Sequence, residues 1–267
     1  MDDMLKIKMH AMYDHFPDHN PDPGEPHIDC YSDTYVEQCT TQGKNIALLL
    51  EPASMIGPAY RYVMDHLELF RYVFTHEAQL LRMPNTYYLN WADVWLQTDS
   101  EKNKGISLCT SYKDWCELHK ARLTLAKHYE GSGVVDVYYG DWNNPRIPNV
   151  PAQDYLEHYK YSIIIENDID DLWFTEKILN CFATKTIPIY VGAPKIGELF
   201  NPYGIIQISD WHDIPDIIDK LDIDTEYSRR LDAINDNYKR IKPYQTPWKT
   251  RFFNDYGALL EDLQNER

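Results

Sequence analysis

The stretch between residues 161 and 194 places a group of carboxylates between two apolar segments. It reads YSIIIENDIDDLWFTEKILNCFATKTIPIYVGAP, and its acidic part contains Glu166, Asp168, Asp170 and Asp171. Such a group could hold a divalent cation, because Mg²⁺ and Ca²⁺ prefer oxygen ligands. Two carboxylates could also act as the acid and base of a hydrolase. The simplest alternative is a solvated turn whose aspartates cap the following helix.

The triplet Thr175-Glu176-Lys177 follows shortly afterwards and indicates a different chemistry. The apolar spacing predicts a helix that begins near Leu172, which puts Glu176 and Lys177 in its first turns. The N-terminus of a helix binds phosphate through its free N–H groups and the positive end of its dipole. A lysine at this place suits a pyrophosphate, and the neighbouring glutamate suits ribose or sugar hydroxyls. These residues alone leave the metal site, the sugar-nucleotide site and the plain turn open.

The elements around this stretch predict an α/β protein with parallel sheets. Apolar strands alternate with helical segments, beginning with KNIALLLEPAS at residues 44–54. In such sheets ligands bind outside the carboxyl ends of the strands, where the acidic group falls. The polar segment DSEKNKG at residues 99–105 predicts a boundary between two domains, residues 1–103 and residues 104–267. Two Rossmann-like halves that face each other would form a cleft.

Composition and charge restrict the partners of the protein. The formal net charge of −16 argues against nucleic acid or an anionic membrane, so a phosphorylated ligand needs locally gathered Lys and Arg. No segment approaches the roughly 20 apolar residues of a membrane span, and the N-terminus lacks the apolar region of a signal peptide. The five cysteines form no C-x-x-C pair, which indicates reduced thiols rather than a metal site or disulfides. We therefore expect a cytoplasmic protein.

The stretch 161–194 resembles the signature of the α-1,3/4-fucosyltransferases, glycosyltransferase family 10. That pattern contains Glu-Asn, an aromatic residue, Thr-Glu-Lys and, after a helix, Pro-Ile-Tyr-x-Gly-x-Pro. The matching residues here are Glu166, Asn167, Trp173, Thr175, Glu176, Lys177, Pro188, Ile189, Tyr190, Gly192 and Pro194.

Two further segments carry the resemblance upstream, so that it covers roughly residues 44–210. CTSYKDWCELHKARLTLAKHY is similar to the Ser-Asn-Lys and His-Lys-x-Arg segments of the family, which it matches with Ser111, Lys113, His119 and Arg122. ALLLEPAS is similar to the Leu-Glu-Pro segment of the family's first domain, whose glutamate is the proposed base. Glu51 occupies that position here.

The resemblance implies an inverting glycosyltransferase of GT-B type that uses neither a metal nor a cofactor. The first domain would bind a glycan acceptor, and the second would bind the co-substrate GDP-fucose. The implied catalytic base is Glu51. Donor-binding positions carried over from the family are Arg122, Lys177 and Lys113 for the pyrophosphate, Glu176 and Asn167 for hydroxyls, and Glu166, Thr175 and Trp173 beside them. We expect a role in surface-glycan biosynthesis or another glycosylation.

Three positions depart from the family pattern. Trp173 stands where tyrosine is usual, Lys185 replaces a glycine, and Tyr112 replaces an asparagine. They keep two alternatives open: a catalytically inactive nucleotide-binding or glycan-binding protein, and a transferase for another nucleotide sugar. A dinucleotide oxidoreductase is disfavoured, since no G-x-G-x-x-G occurs in the sequence. The basic, aromatic segment at residues 238–253 is expected to pack across the first domain.

Overall fold

The structure is a computed structural model that describes residues 5–140 and 149–266. The chain forms two compact units, one of Met1–Trp91 with Thr246–Arg267 and the other of Ala92–Gln245. Each unit contains a five-stranded parallel sheet with helices packed on it, which confirms the predicted α/β class. Among the described helices, none has the length and apolar character to cross a membrane.

The sheet of the first unit runs in simple chain order. Its strands, adjacent in that order, are β1 Ile7–His10, β2 Ile28–Ser32, β3 Asn45–Leu48, β4 Tyr72–Thr75 and β5 Thr86–Tyr88. Side chains alternate between the two faces of a strand. On β3, Ile46 and Leu48 accordingly belong to one apolar cluster, whereas Ala47 belongs to another.

Two helices cover the two faces of this sheet. Helix α1, Ala53–Asp65, packs its buried face against the side of Ala47. Helix α8, Trp248–Asn265, packs Trp248 and Phe252 on the side of Ile46 and Leu48. The chain therefore returns to the first unit at its end, although the predicted boundary assigned all of residues 104–267 to the second. The expectation that residues 238–253 pack on the first domain holds for residues 248–253, whereas residues 238–245 belong to the second unit.

The sheet of the second unit contains a reversal of strand order. Its strands are β6 Lys104–Thr110, β7 Val135–Tyr139, β8 Tyr159–Ile165, β9 Ile187–Val191 and β10 Ile206–Gln207. They lie in the order β10-β9-β8-β6-β7, so the chain passes from β6 to β7 on one side and then to β8 on the other. Strands β6 and β8 flank this switch point, the usual ligand site of an open α/β sheet.

Helices on both faces bury the central strands of this sheet. The helices are α2 Glu117–Tyr129, α3 Ala152–Leu156, α4 Glu176–Ala183, α5 Ile196–Leu199, α6 Ile214–Lys220 and α7 Ile223–Arg240. All five residues of β9 are buried, as are six of the seven residues of β8. Continuous burial of this kind is typical of parallel strands that are covered on both sides.

Helix α4 begins at Glu176, not near Leu172 as the spacing predicted. Thr175 is its N-cap residue: the backbone is extended there, and the hydroxyl accepts a hydrogen bond from the N–H of Lys177 at 3.4 Å. The aspartates of the acidic group are not the cap. Asp168 accepts from the N–H of Ile169, and Asp171 pairs with Lys195.

Lys185 has a left-handed backbone, with φ of 56°. It follows the end of α4, where a left-handed residue commonly closes a helix and glycine is preferred. Lys185 therefore adopts, with some backbone strain, the conformation for which the family uses glycine. Its side chain pairs with Asp99, and its carbonyl accepts a hydrogen bond from the hydroxyl of Tyr227.

Candidate functional site

A cavity of about 270 Å³ lies at the switch point of the second unit. Strands β6 and β8 supply its floor, and helices α2 and α4 supply most of its charges. Its lining, as far as the structure describes it, contains three cations and one carboxylate: Lys113, Arg122, Lys177 and Glu176. The other lining residues are Trp95, Cys109, Thr110, Ser111, His119, Gly140, Tyr155, Ile163, Ile164, Ile165 and Asn167. The local excess of positive charge contrasts with the net charge of −16 for the chain.

Arg122 is presented by α2 and is almost completely buried. Its Nη2 atom donates to Oδ1 of Asn167, which follows strand β8, at 2.6 Å. Burial lowers the pKa of Arg122, and the carboxylate of Glu166 opposes that shift. The guanidinium remains charged, because the ordinary pKa of arginine is above 12. A buried cation is thus held in a fixed position at the switch point.

Lys177 is held by three oxygen atoms at the start of α4. Its Nζ atom lies 2.9 Å from Oγ1 of Thr175, 3.3 Å from Oε1 of Glu176 and 3.5 Å from Oε2 of Glu166. Burial lowers the pKa of Lys177, but the carboxylates of Glu176 and Glu166 outweigh it, so that the pKa lies above its ordinary value. The ammonium is therefore charged at neutral pH and oriented at the cavity wall.

Glu166 is fully buried behind this lysine. Its two carboxylate oxygens accept from Thr175, one from the backbone N–H at 3.0 Å and the other from the hydroxyl at 2.7 Å. A buried carboxylate is costly unless it is paired and hydrogen-bonded. Glu166 meets both conditions, and it thereby anchors the beginning of α4 to the end of β8.

His119 adds a neutral group to the cationic cavity. Burial, assisted by the positive charges of Arg122 and Lys113, lowers the pKa of His119 to about 4. Its Nδ1 atom is buried and has no hydrogen-bond partner among the described residues.

The structure brings five predicted donor-binding residues to the cavity wall: Arg122, Lys177, Glu176, Asn167 and Lys113. Two others, Glu166 and Thr175, lie buried beneath them and hold Lys177. Trp173 is only 1% exposed and is not among the lining residues, so the structure does not bring it to the cavity as a stacking surface. The sequence reasoning missed Trp95, which lines the cavity from the segment after the first unit.

Glu51 lies in the first unit, at a second cavity of about 470 Å³. Asp33 fixes the backbone at this position, because its Oδ1 atom accepts from the N–H groups of Leu50 at 2.8 Å and Glu51 at 3.1 Å. Asp33 itself has a left-handed backbone, with φ of 51°. The carbonyl of Glu51 accepts from the hydroxyl of Tyr60 at 2.9 Å. The sequence reasoning did not identify Asp33, whose contribution depends on contacts between distant parts of the chain.

Metal ligands were one interpretation of the acidic group. Within residues 5–140 and 149–266, the His, Cys, Asp and Glu side chains form no cluster of three or more that could hold a metal ion. Asp171 is paired with Lys195, and Asp168 hydrogen-bonds to the turn backbone. These aspartates stabilise the turn that leads into α4.

The fold defines an α/β protein with a cation-lined cavity at the switch point of its second sheet. Residues 99–255 match the family model described as glycosyltransferase family 10 (fucosyltransferase), C-terminal part. This match covers more than half of the 267 residues, and the chain belongs to glycosyltransferase family 10. The resemblance found in the sequence is thereby confirmed.

Individual relatives agree with this assignment. The chain is 31% identical over 85 residues to the alpha-(1,3)-fucosyltransferase FucT of Helicobacter pylori. The matched segment is 32% of this chain but only 18% of FucT, so most of that relative lies outside the match.

Solved structures are similar over nearly the whole chain. A crystal structure of an alpha1,3-fucosyltransferase with GDP has a TM-score of 0.60 and 13% identity, and the match covers 96% of this chain and 90% of that one. Another, with GDP-fucose, has a TM-score of 0.57 and 14% identity, over 92% and 80% of the two chains. These similarities confirm the predicted GT-B class of fold.

Proposed function

We propose that the protein is an inverting fucosyltransferase that transfers fucose from GDP-fucose to a hydroxyl of a glycan acceptor without a metal. One observation carries the proposal: three cations gather at the switch point of a chain whose net charge is strongly negative. Family membership and the GDP and GDP-fucose bound to the structural neighbours support the choice of donor.

The pyrophosphate of the donor would bind between Arg122, Lys177 and the N-terminus of α4. These groups supply the positive charge that the departing GDP requires, and such stabilisation is commonly the largest single contribution to catalysis. Glu176 and Asn167 would hold hydroxyl groups of the ribose or the sugar. Glu166 and Thr175 act through Lys177, whose ammonium they hold.

Glu51 is the proposed base. In an inverting step the acceptor oxygen attacks the anomeric carbon as the bond to the β-phosphate breaks, and the acceptor proton passes to the carboxylate. General-base assistance of this kind typically contributes about 10²–10⁴-fold to the rate. The hydrogen bonds from Leu50 and Glu51 to Asp33 fix the backbone that carries this carboxylate.

A nucleotide panel tests the choice of donor. We expect GDP and GDP-fucose to raise the melting temperature, with or without EDTA, and UDP, CDP and ADP to have little effect. A ligand at a hundred times its dissociation constant adds about 2.7 kcal/mol to the free energy of unfolding. GDP-fucose should also be turned over with release of GDP. A response to another nucleotide, or one that requires a divalent metal, would overturn the proposed donor or mechanism, and GDP binding without turnover would indicate an inactive binding protein.

A further inference from the structure

Lys113 differs from the other two cations of the switch-point cavity in how it is held. Arg122 is fixed by the side-chain oxygen of Asn167, and Lys177 is surrounded by oxygen atoms at the start of α4. Among the described residues, by contrast, the ammonium of Lys113 is paired with no carboxylate. Its Nζ atom lies instead over the indole of Trp115, 4.8 Å from the ring centroid. The quadrupole of an aromatic ring attracts a cation that lies over its face.

Trp115 contacts two residues of the cavity wall without lining the cavity itself. It stands two residues before α2 and is 63% exposed. Besides the ammonium of Lys113, its ring contacts the imidazole of His119 edge-on, with the ring centroids 6.0 Å apart. Lys113 and His119 both line the cavity. The indole is therefore placed to influence the cavity through its neighbours.

The backbone of the loop that carries Lys113 is held by separate contacts. The hydroxyl of Ser111 accepts a hydrogen bond from the N–H of Lys113 at 3.4 Å. Tyr112 stacks on Tyr139 at the end of β7, with centroids 5.1 Å apart and planes inclined by 14°. An asparagine, which the family pattern has at position 112, could not form this stack. These contacts fix the loop, whereas the direction of the long lysine side chain depends on the indole.

We propose that Trp115 is a positioning residue that holds the ammonium of Lys113 at the cavity for a phosphate group of the ligand. A lysine side chain has many rotamers, and restricting them before binding reduces the entropy that is lost on association. The ring covers one side of the ammonium and leaves N–H donors for phosphate oxygens. Trp115 therefore acts through Lys113 and requires no contact with the ligand. The inference rests on the proposed function in taking the ligand to be a diphosphate.

Titration of inorganic pyrophosphate into the full chain tests the inference without a nucleotide. Isothermal titration calorimetry at pH 7.5 compares the wild type with Trp115→Leu, Lys113→Met and the double variant. Lys113→Met should weaken binding about tenfold, through the loss of one charge-assisted contact. Trp115→Leu should weaken it about threefold, the size expected for a cation–π contact at an exposed site. The double variant should bind no more weakly than Lys113→Met, because the indole acts only through the ammonium.

Two further variants separate the aromatic face from the mere presence of an exposed ring. Trp115→Phe keeps an aromatic face and should bind pyrophosphate more tightly than Trp115→Leu. Tyr203→Leu is the matched control, since Tyr203 is 77% exposed in the same unit and no cation lies over its ring among the described residues. This control should have the wild-type affinity. Melting curves check that each variant is folded.

Wild-type or tighter affinity in Trp115→Leu would overturn the inference. The same conclusion would follow if the two single losses multiplied in the double variant, if Trp115→Phe bound no better than Trp115→Leu, if Tyr203→Leu were weakened as much as Trp115→Leu, or if the wild type did not bind pyrophosphate.

The inference and the proposed function fail separately. A protein that shows these effects with pyrophosphate but releases no GDP from GDP-fucose would contradict fucosyl transfer alone. Turnover of GDP-fucose by the wild type, together with wild-type pyrophosphate affinity in Trp115→Leu, would contradict the role of Trp115 alone.

Discussion

The cavities of the two units differ in charge in a way that separates their chemistry. Among the described residues, the cavity at the switch point of the second unit is lined by three cations, Lys113, Arg122 and Lys177, and one carboxylate, Glu176. The cavity of the first unit is lined by two carboxylates and four large aromatic residues, and its described lining lacks lysine and arginine. The first arrangement suits a pyrophosphate, and the second suits hydroxyl groups on an apolar-faced ring. Both occur in parallel sheets of five strands, so side chains rather than fold class make the difference.

The largest expected effect is the loss of turnover when either cavity loses its central charged group. Lys177→Ala should reduce the rate of GDP release from GDP-fucose by at least about 10³-fold, and Glu51→Gln by about 10²–10⁴-fold. Steady-state kinetics measure both effects. Lys127→Ala, which removes an exposed cation from α2, is the control and should retain activity. Melting curves must accompany Lys177→Ala, because this lysine also pairs with buried Glu166. If either Lys177→Ala or Glu51→Gln folds and turns over GDP-fucose at the wild-type rate, the role assigned to that residue is wrong.

A smaller effect concerns the pH dependence of stability. The pKa of His119 is about 4 in the folded protein, below the ordinary value of about 6.5 that applies to the unfolded chain. The unfolded state therefore binds more protons between these values, and stability should fall as the pH decreases from about 6.5 to 4, by roughly 3 kcal/mol.

Urea unfolding at a series of pH values measures this dependence, with His119→Gln as the comparison. The free energy of unfolding of the variant should change less between about pH 6.5 and pH 4. Saturating GDP should also reduce the slope, since a nearby diphosphate raises the pKa of the imidazole. Identical profiles for wild type and variant would show that His119 is not held neutral by burial beside Arg122 and Lys113.

The smallest expected effect concerns Lys185 and its left-handed backbone. Lys185→Gly should increase the free energy of unfolding by about 0.5 kcal/mol, because relief of the backbone strain is partly offset by the greater freedom of glycine in the unfolded chain. Thermal unfolding measures the difference. Lys185→Ala is the matched control: it loses the same ion pair with Asp99 but keeps a Cβ atom, and it should not be stabilised. A destabilised glycine variant would mean that the side-chain contacts outweigh the strain.

The sequence predicted most of the second unit because its signals are local. Strand β9 is a continuous apolar run, β8 ends in three isoleucines, and the triplet at residues 175–177 caps and begins a helix with a buried face. The sequence placed Glu176 and Lys177 in the first turns of a helix beside the ligand cleft, and both line the cavity. The helix begins later than predicted, because the apolar residues at 172–174 continue the helical pattern.

The first unit was less predictable. Strands β1 and β2 are short and lie among proline-rich and acidic loops, and the sequence reasoning did not identify them. Helix α8 joins the first sheet from the far end of the chain, and the sequence predicted this packing only for its first residues, 248–253. The cavity at Glu51 combines residues from five separated segments. Its aromatic and acidic character therefore became visible only in three dimensions.

Titration of GDP into two variants tests the assignment of the nucleotide to the cationic cavity most directly. Isothermal titration calorimetry of Glu51→Gln should give the GDP affinity of the wild type, because the acidic cavity has no role in holding the nucleotide. Lys177→Ala should bind GDP at least about tenfold more weakly, the effect of losing one charge-assisted contact worth about 1.5 kcal/mol or more. Weakened GDP binding by Glu51→Gln, or wild-type affinity in folded Lys177→Ala, would contradict the division of roles between the two cavities.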